Sequence, residues 1–453
     1  MGKLFGTDGV RGVANTELTA EMALALGRAG AYVLTKDKNA NAPKVLVGKD
    51  TRRSGDMLEA ALTAGLCSLG AEVYLAGVVP TPGVAYLVRK YGLDAGVMIS
   101  ASHNPMADNG IKFFNGEGYK LPDALEEEIE MLYEVGTGGL PHPTGVGIGT
   151  ARVCERAAED YRAYLLSTVP GLSLKGMKLA IDCANGATGS VAPALFKILG
   201  ADVTSLFTAP DGTNINENCG STHIGPLRDF AKQNGCDAAF AYDGDGDRLL
   251  CVDDTGTVVE GDEVVAICGM DLHRRGLLAH NAIVGTVMSN LGLSLMCREH
   301  GLTLYQTAVG DRYVLDKMLA GGFTLGGEQS GHIIFRQYGT TGDGILTSLQ
   351  LLSVLRRENK TLSALKRVME VVPQSLVNAR VPNNRKFLWV ENPAILALIE
   401  EAEELLGGGG RVLVRPSGTE PLIRVMIEGR DASLIDEWAK KIAAAIETEL
   451  KLS

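Results

Sequence analysis

The sequence predicts an α/β protein: three related α/β domains with mixed, mostly parallel sheets, followed by a smaller C-terminal α+β domain. Three observations carry that expectation. Short Val, Ile and Leu runs alternate with amphipathic stretches of helical period, as in βαβ units around a buried sheet. The alternation recurs in three series of similar length and order. The 453 residues suffice for about three domains of ordinary size.

The first series reads as a helix over Thr19 to Leu34, a strand KVLVG at 44–48, a helix at 56–69, a strand EVYLAG at 72–77, a helix at 83–91 and a strand AGVMIS at 95–100. It runs out near residue 150 in the glycine-rich GTGGLPHPTGVGIGT, which sets a first domain at 1–152. The second series, a domain at 153–255, has helices at 155–168, 190–199 and 226–234. Its strands are KLAIDC at 178–183, then 202–207, AAFAY at 238–242 and LLCVDD. The third, at 256–370, has a helix at 262–275, a strand AIVGTVM at 282–288, a helix at 291–300, a strand LTLYQT at 302–307 and helices at 311–319 and 343–357. The last domain, 371–453, combines a hairpin-like RVLVRPSGTEPLIRVMIEG with the long helix DASLIDEWAKKIAAAIETEL, and GGGG at 407–410 is a turn between elements.

Hydrophobic residues are 45 % of the chain and charged residues 21 %, which suits several packed cores and not disorder. The net charge of −11 argues against nucleic acid or an anionic membrane as partner, so an anionic ligand needs a locally basic pocket. No apolar run approaches the ~18 residues of a membrane span and the start lacks an export-type apolar stretch, so a cytoplasmic protein is expected. No two of the eight cysteines lie closer than 15 residues, so no CxxC pair exists, and several sit in apolar runs where a thiol behaves as a small hydrophobe.

Each series throws one polar, glycine-containing loop off a strand end, where open α/β sheets place their ligands. ISASHNPMADNGIKFF, at 99–114, presents Ser102 and His103 directly after a buried strand, with Lys112 ten residues on as a charge partner. The GxSxG setting of hydrolase serines is missing there. In AFAYDGDGDRLL, Asp243, Asp245 and Asp247 alternate with glycine. Three carboxylates so close repel one another unless a cation is shared, and hard oxygen ligands suit Mg²⁺ or Mn²⁺. An EF-hand fits poorly, because Arg248 stands where its sixth-position glycine belongs. LGGEQSGHIIF brings together Glu328, Gln329, Ser330 and His332, an acid, an amide and a hydroxyl suited to sugar hydroxyl and amino groups. RPSGTEPLIRV sets Arg415, Ser417, Gly418 and Thr419 in a donor-rich turn with Arg424 on the next strand, a good phosphate cradle. Neither a P-loop nor a GxGxxG fingerprint is present.

Taken in order, FGTDGVRG, ASHNP, DGDGDR, GEQSGH and RPSGTEP resemble the α-D-phosphohexomutase superfamily over the whole chain. The resemblance implies four domains around a central cleft, three related α/β units and a smaller α+β phosphate binder. The FGTDGVRG start and Gln329 resemble the branch acting on an amino sugar. The implied reaction is interconversion of glucosamine 6-phosphate and glucosamine 1-phosphate through a 1,6-bisphosphate, on the route to UDP-N-acetylglucosamine. By carry-over Ser102 is the phosphoserine, and Asp243, Asp245 and Asp247 hold one Mg²⁺ together with a phosphoserine oxygen. Glu328, Gln329 and Ser330 meet the sugar, and Arg415, Ser417, Gly418, Thr419 and Arg424 grip the phosphate that is not reacting. Lys112, His332 and His103 lie near the chemistry, with Arg11 and Arg248 as cations. Glucosamine or glucose 1,6-bisphosphate is the implied activator, a small sugar phosphate the implied partner, and a homodimer the one assembly entertained. Two alternatives share parts of the pattern. One is a phosphomannomutase or phosphoglucomutase with the same machinery, and the other a DxD-type sugar phosphatase, which Asp247 fits badly.

Overall fold

The structure is a computed structural model that describes residues 4–6, 8–36, 42–417 and 420–451. The chain divides into two compact units, Met1–Met288 with Leu302–Val368, and Ser289–Gly301 with Met369–Ser453.

Within the larger unit three sheets share one plan. In the first, Lys44–Lys49 lies parallel between Glu72–Val78 and Ala95–Ile99, and Asp108–Asn115 returns antiparallel beside Ala95–Ile99. In the second, Lys178–Asp182 lies parallel between Asp202–Leu206 and Ala238–Tyr242, with Leu249–Asp253 returning antiparallel. In the third, Ala282–Thr286 lies parallel between Thr303–Thr307 and Leu325–Gly327, with Ile333–Phe335 antiparallel. The spatial order is second, first, third, fourth in every case, so the three series of like order in the sequence fold to one topology. The sheets differ only at their edges. Phe5–Gly6, Gly9–Val13 and Ala151–Val153 extend the first, and Val258–Val259 extends the second.

The apolar runs make these strands because both faces of each sheet are covered. Alternate side chains of one strand enter different cores: Val45 and Val47 pack with Leu26, Leu58, Leu62 and Ile99, whereas Leu46 packs with Val84, Val88, Met98 and Phe114. Each fully buried side chain of this size contributes about 1.5–3 kcal/mol, so a carboxylate at Val47 would open the first core. The first helix, Ala20–Thr35, begins where expected because the Thr19 hydroxyl accepts the Met22 N–H at 3.2 Å. Asp343 caps Gly344–Glu358 in the same way, accepting the Leu346 N–H at 2.9 Å.

One expectation needs correction. The stretch 99–114 is not loop throughout, because Asp108–Asn115 is a strand, six of whose eight residues are buried. Asn109, Gly110 and Lys112 read as loop because polar and glycine residues usually mark turns. Here the strand lies between two others, Gly9–Val13 and Ala95–Ile99, and its polar groups are paired. The helices Asp123–Val135 and Pro393–Leu406 and the short N-terminal strands were likewise not foreseen.

The smaller unit is an antiparallel sheet in the order Gln374–Arg380, Leu422–Glu428, Arg411–Pro416. The last two strands form the hairpin expected from the sequence. Ile395, Val425, Ile427, Trp438 and Ile442 build its core between the sheet and the helices Pro393–Leu406 and Ala432–Glu449. The helix Leu291–Glu299 belongs to this unit: the Leu291 N–H donates to the buried Glu428 carboxylate at 3.0 Å, and Arg411 pairs with the same carboxylate. No helix of the described residues is long and apolar enough to cross a membrane.

Candidate active site

In each of the three sheets the chemistry-bearing loop joins the third strand to the fourth, antiparallel one. These are the connection bearing Ser102, the connection Asp243–Arg248, and the hairpin turn Glu328–His332. Hydrogen bonds stitch the loops together. Thr81 N–H donates to the Asp245 carbonyl at 2.9 Å, Leu249 N–H to the Gly331 carbonyl at 3.0 Å and Gly344 N–H to the Gly246 carbonyl at 3.0 Å. Gly331 has φ +91°, and a Cβ there would lie 2.1 Å from the Leu249 carbonyl oxygen, so no other residue permits that approach.

Ser102 stands at φ +54°, a left-handed conformation uncommon for a residue with a Cβ, and it is buried. Its hydroxyl donates to Asp243 Oδ2 at 2.5 Å and lies 3.3 Å from His103 Nδ1. Burial, then Arg248 and Arg11, pull His103 down to about 4, so it carries no proton charge near neutral pH. Two residues absent from the sequence reading hold this loop. Arg52 donates to the carbonyls of Ser102 and Asn104 at 3.0 and 2.8 Å, and Asn216 Nδ2 to the same two at 2.9 and 3.1 Å.

Asp243, Asp245 and Asp247 are buried, and each presents a carboxylate oxygen within 4.8 Å of the others. Asp245 Oδ1 and Asp247 Oδ1 have no hydrogen-bond partner among the described residues. Burial and the neighbouring aspartates drive Asp243 well above the usual carboxylate range. Orphaned oxygens and mutual repulsion among buried acids are what a bound divalent cation would relieve, so the donor set fits one. Asp245 Oδ2 is already committed, to the Thr81 hydroxyl at 2.6 Å and Lys112 Nζ at 2.8 Å. Burial works against ionisation of Asp245, but Lys112 outweighs it and holds the group below the usual range.

Lys112 is 1 % exposed and also lies 2.8 Å from Asp8 Oδ2. Burial disfavours its charge, yet Asp245 and Asp8 outweigh that and raise its pKa, so it stays an ammonium. Asp8 further binds Arg11 and, at 2.5 Å, Lys120, which pairs with Asp311. His332 Nε2 accepts the Gly342 N–H at 3.2 Å and lies 3.5 Å from Asp311 Oδ2 and 3.9 Å from Asp247 Oδ2. Ser102, His103, Lys112, Arg11, Arg248 and His332 thus lie near the aspartates in one largely buried cluster of polar and charged groups. Asp8, Lys120 and Asp311 joined it unforeseen. Asp8 lies inside FGTDGVRG, a signal that was available; Lys120 and Asp311 are 191 positions apart and carry no local signature. A cavity of about 360 Å³ lined by Tyr119, Lys120, Asp311, Arg312 and Thr341 borders that pair, away from the three aspartates.

On the third loop Glu328 accepts the Gly310 N–H at 3.1 Å and Ser330 is exposed. Gln329 Nε2 donates at 2.7 Å to Glu260, which caps the helix Gly261–Arg274 in a capping box with Glu263. In the smaller unit, Arg415 and Arg424 face each other across the hairpin. Like charges directly opposite are unfavourable unless an anion lies between them. Burial, then Arg424, lower the Arg415 pKa. Buried Lys386 donates to the carbonyls of Ser417 and Glu420 at 2.6 and 3.1 Å, holding both ends of the turn. Gly418 and Thr419 lie outside the described residues.

Four sequence domains match along the chain, phosphoglucomutase/phosphomannomutase alpha/beta/alpha domain I over residues 2–137, domain II over 159–256, domain III over 260–372 and the C-terminal domain over 376–445. The chain belongs to the phosphoglucomutase/phosphomannomutase family. As a family member it is a phosphohexomutase, an isomerase. It is 54 % identical over 450 residues to the phosphoglucosamine mutase of Ruminiclostridium cellulolyticum, covering 99 % of this chain and 100 % of that protein. The phosphoglucosamine mutase of Acetivibrio thermocellus is 56 % identical over the same shares. Among solved structures, a phosphoglucomutase/phosphomannomutase family protein from Burkholderia thailandensis superposes with a TM-score of 0.79 at 25 % identity, covering 98 % of this chain and 97 % of that one. The N-acetylphosphoglucosamine mutase of Aspergillus fumigatus, solved with GlcNAc-6P and magnesium, shares the fold at a TM-score of 0.70 and 18 % identity, covering 99 % and 96 %.

Proposed function

We propose that this phosphohexomutase interconverts glucosamine 6-phosphate and glucosamine 1-phosphate, with Ser102 as the phosphoryl carrier. The observation that carries the mechanism is the Ser102 hydroxyl 2.5 Å from Asp243 at the edge of a buried three-aspartate cluster. The sugar is read from the relatives, whose printed name is phosphoglucosamine mutase at 54–56 % identity over nearly the whole chain.

Phosphoryl transfer asks mainly for positioning and charge stabilisation. The bond from phosphorus to Ser102 Oγ breaks as one forms to the free sugar oxygen; we assign the proton leaving that sugar hydroxyl to His332, and the released Ser102 Oγ takes up one proton, restoring the hydroxyl that donates to Asp243. The resulting 1,6-bisphosphate turns over and returns its other phosphoryl group to Ser102. Lys112, Arg11 and Arg248 supply fixed positive charge opposite the transferring oxygens. Asp243, Asp245 and Asp247, with a phosphoserine oxygen, would hold a magnesium ion that adds positive charge at the same place. Glu328, Gln329 and Ser330 meet the sugar, and Arg415, Ser417 and Arg424, with Gly418 and Thr419, take a phosphate. A glucosamine or glucose 1,6-bisphosphate primes Ser102, and the product feeds UDP-N-acetylglucosamine synthesis. The phosphatase alternative is not favoured, because Asp243 is engaged by a serine hydroxyl rather than free to attack.

The test is a phosphorus NMR time course of the protein with glucosamine 6-phosphate, Mg²⁺ and a trace of hexose 1,6-bisphosphate. Growth of a glucosamine 1-phosphate signal at constant total sugar phosphate is expected. Release of inorganic phosphate would replace the mutase reading with a phosphatase, and an unchanged spectrum would reject the amino sugar.

A further inference from the structure

We propose that Arg52 is a positioning residue for phosphoryl transfer: it closes a ring of hydrogen bonds around the Ser102 peptide and so sets the direction in which Oγ faces the three aspartates. The proposal rests on Ser102 being the phosphoryl carrier.

The ring can be followed atom by atom. Ser102 N–H donates to Ser100 Oγ at 2.9 Å, and the Ser100 hydroxyl donates to Asp50 Oδ2 at 2.6 Å. Arg52 Nε donates to that same oxygen at 2.9 Å, and its Nη2 donates to the Ser102 carbonyl at 3.0 Å. Both polar groups of the Ser102 backbone are thereby tied to one buried ion pair on the segment after the strand Lys44–Lys49. The rest of the guanidinium goes to the same loop, with Nη2 on the Asn104 carbonyl at 2.8 Å and Nη1 on the carbonyls of Asp108, at 2.9 Å, and Pro105. All five side-chain N–H groups therefore have acceptors, four of them carbonyls between Ser102 and Asp108, the first residue of the next strand.

Three considerations separate this from ordinary loop packing. Arg52 and Asp50 are 2 % and 1 % exposed, and a buried ion pair is a poor source of net stability, so another requirement must keep it. Ser102 sits at φ +54°, a conformation that persists only where its surroundings over-determine it. Asn216, from a different sheet's loops, donates to the same Ser102 and Asn104 carbonyls, so two independent donors converge on the two peptides around the nucleophile. Among the described residues Arg52 forms no ion pair with Asp243, Asp245 or Asp247, and what it touches of the site is the Ser102 peptide.

Lysine cannot replace this group, because its three donors cannot serve five acceptors. Full-length wild type, Arg52→Lys and Asn216→Ala would be charged with labelled glucose 1,6-bisphosphate to count phosphorylatable Ser102, and kcat per labelled site, KM and melting temperature measured on each. The expected result is a fall in kcat per labelled site on the order of 100-fold for Arg52→Lys and about 10-fold for Asn216→Ala, with KM within about 3-fold, because displacement of a reacting atom by an ångström costs that much. Unchanged kcat per labelled site, the loss lying wholly in the fraction of sites that can be labelled, would make the ring purely structural and overturn the proposal. A raised KM at unchanged kcat would overturn it as well. Should Arg52→Lys not fold, Ser100→Ala, which removes the hydroxyl linking Ser102 N–H to the Asp50–Arg52 pair, decides by the same criteria. Ser102→Ala, run in parallel, separates the two readings. Full activity there removes Ser102 and the ring together, whereas a dead Ser102→Ala beside normally active ring variants removes the ring alone.

Discussion

A serine in the left-handed region, its hydroxyl on a buried aspartate and its backbone tied to an ion pair, is held for a purpose that stability alone does not explain. Ser102→Ala removes a single oxygen, and kcat for sugar-phosphate isomerisation is expected to fall by at least about 1,000-fold while the melting temperature stays within a few degrees, since nucleophile loss is a transition-state effect. Substantial residual turnover in the phosphorus NMR assay would place the carrier elsewhere. Gln329 makes a sharper case than its sequence position suggested, because its amide is spent on Glu260. Gln329→Glu sets two carboxylates against each other at a helix cap. The expected outcome is a changed ratio of kcat/KM for glucosamine and glucose phosphates together with a loss of about 1 kcal/mol in stability. An unchanged ratio in paired kinetic assays would show that this loop does not choose the sugar. Ser102, the three aspartates and Glu328 stand out in the sequence because each lies in a short polar string after an apolar strand, and Asp8 had a signal in FGTDGVRG. Lys120, Asp311, Arg52 and Asn216 had none, because each acquires its meaning from partners on other elements.

At the scale of elements, the three sheets of like strand order matter most for the site, since each delivers its third-to-fourth strand connection to the same place. Close approach of those connections is bought with glycine. A Cβ on Gly244 would lie 2.6 Å from the Ser102 carbonyl oxygen and 2.9 Å from Asn216 Nδ2, the hydrogen-bonded pair that ties down the Ser102 peptide. Gly244→Ala is expected to cost about 1–3 kcal/mol in denaturant unfolding. It should lower kcat by more than that loss of folded protein accounts for, a comparison that active-site titration makes directly. Strand Asp108–Asn115 shows the limit of reading elements from composition. Its buried Lys112 belongs to an interior strand because Asp8 and Asp245 neutralise it, and no window of local sequence contains that fact.

At the scale of the whole molecule, buried charge couples function and stability to solution conditions. Removing divalent cations with EDTA is expected to abolish turnover and Mg²⁺ to restore it, because three buried aspartates otherwise repel one another and the phosphoryl group proposed for Ser102. Turnover that survives exhaustive chelation would count against the metal. Asp343, at the start of the helix Gly344–Glu358, gives a pH prediction. Burial pushes it up to about 6, against about 3.9 for an unfolded carboxyl, while Leu346 N–H and the Tyr161 hydroxyl donate to it. The folded state therefore binds the proton more tightly. The group's contribution to stability is full below about pH 4 and is lost as pH rises through about 6. Asp343→Asn keeps the cap and is expected to gain about 2 kcal/mol relative to wild type between pH 4.5 and pH 7 in urea unfolding, and a pH-independent difference would refute the assignment.

The sequence by itself determined the α/β repeat and where four polar, glycine-containing strings lie along it, because periodicity, glycine and clustered carboxylates act over a few residues. Only the tertiary structure decided that three of those strings occupy one topological position. It also decided that Lys112 is locked between Asp8 and Asp245, that Gln329 turns onto Glu260, and that Arg52 encloses the Ser102 peptide. Those pairings join residues 50 to 133 positions apart. They are set by burial, which makes every polar group find a partner, and by charge, which in a dry interior acts on whichever group the fold brings near.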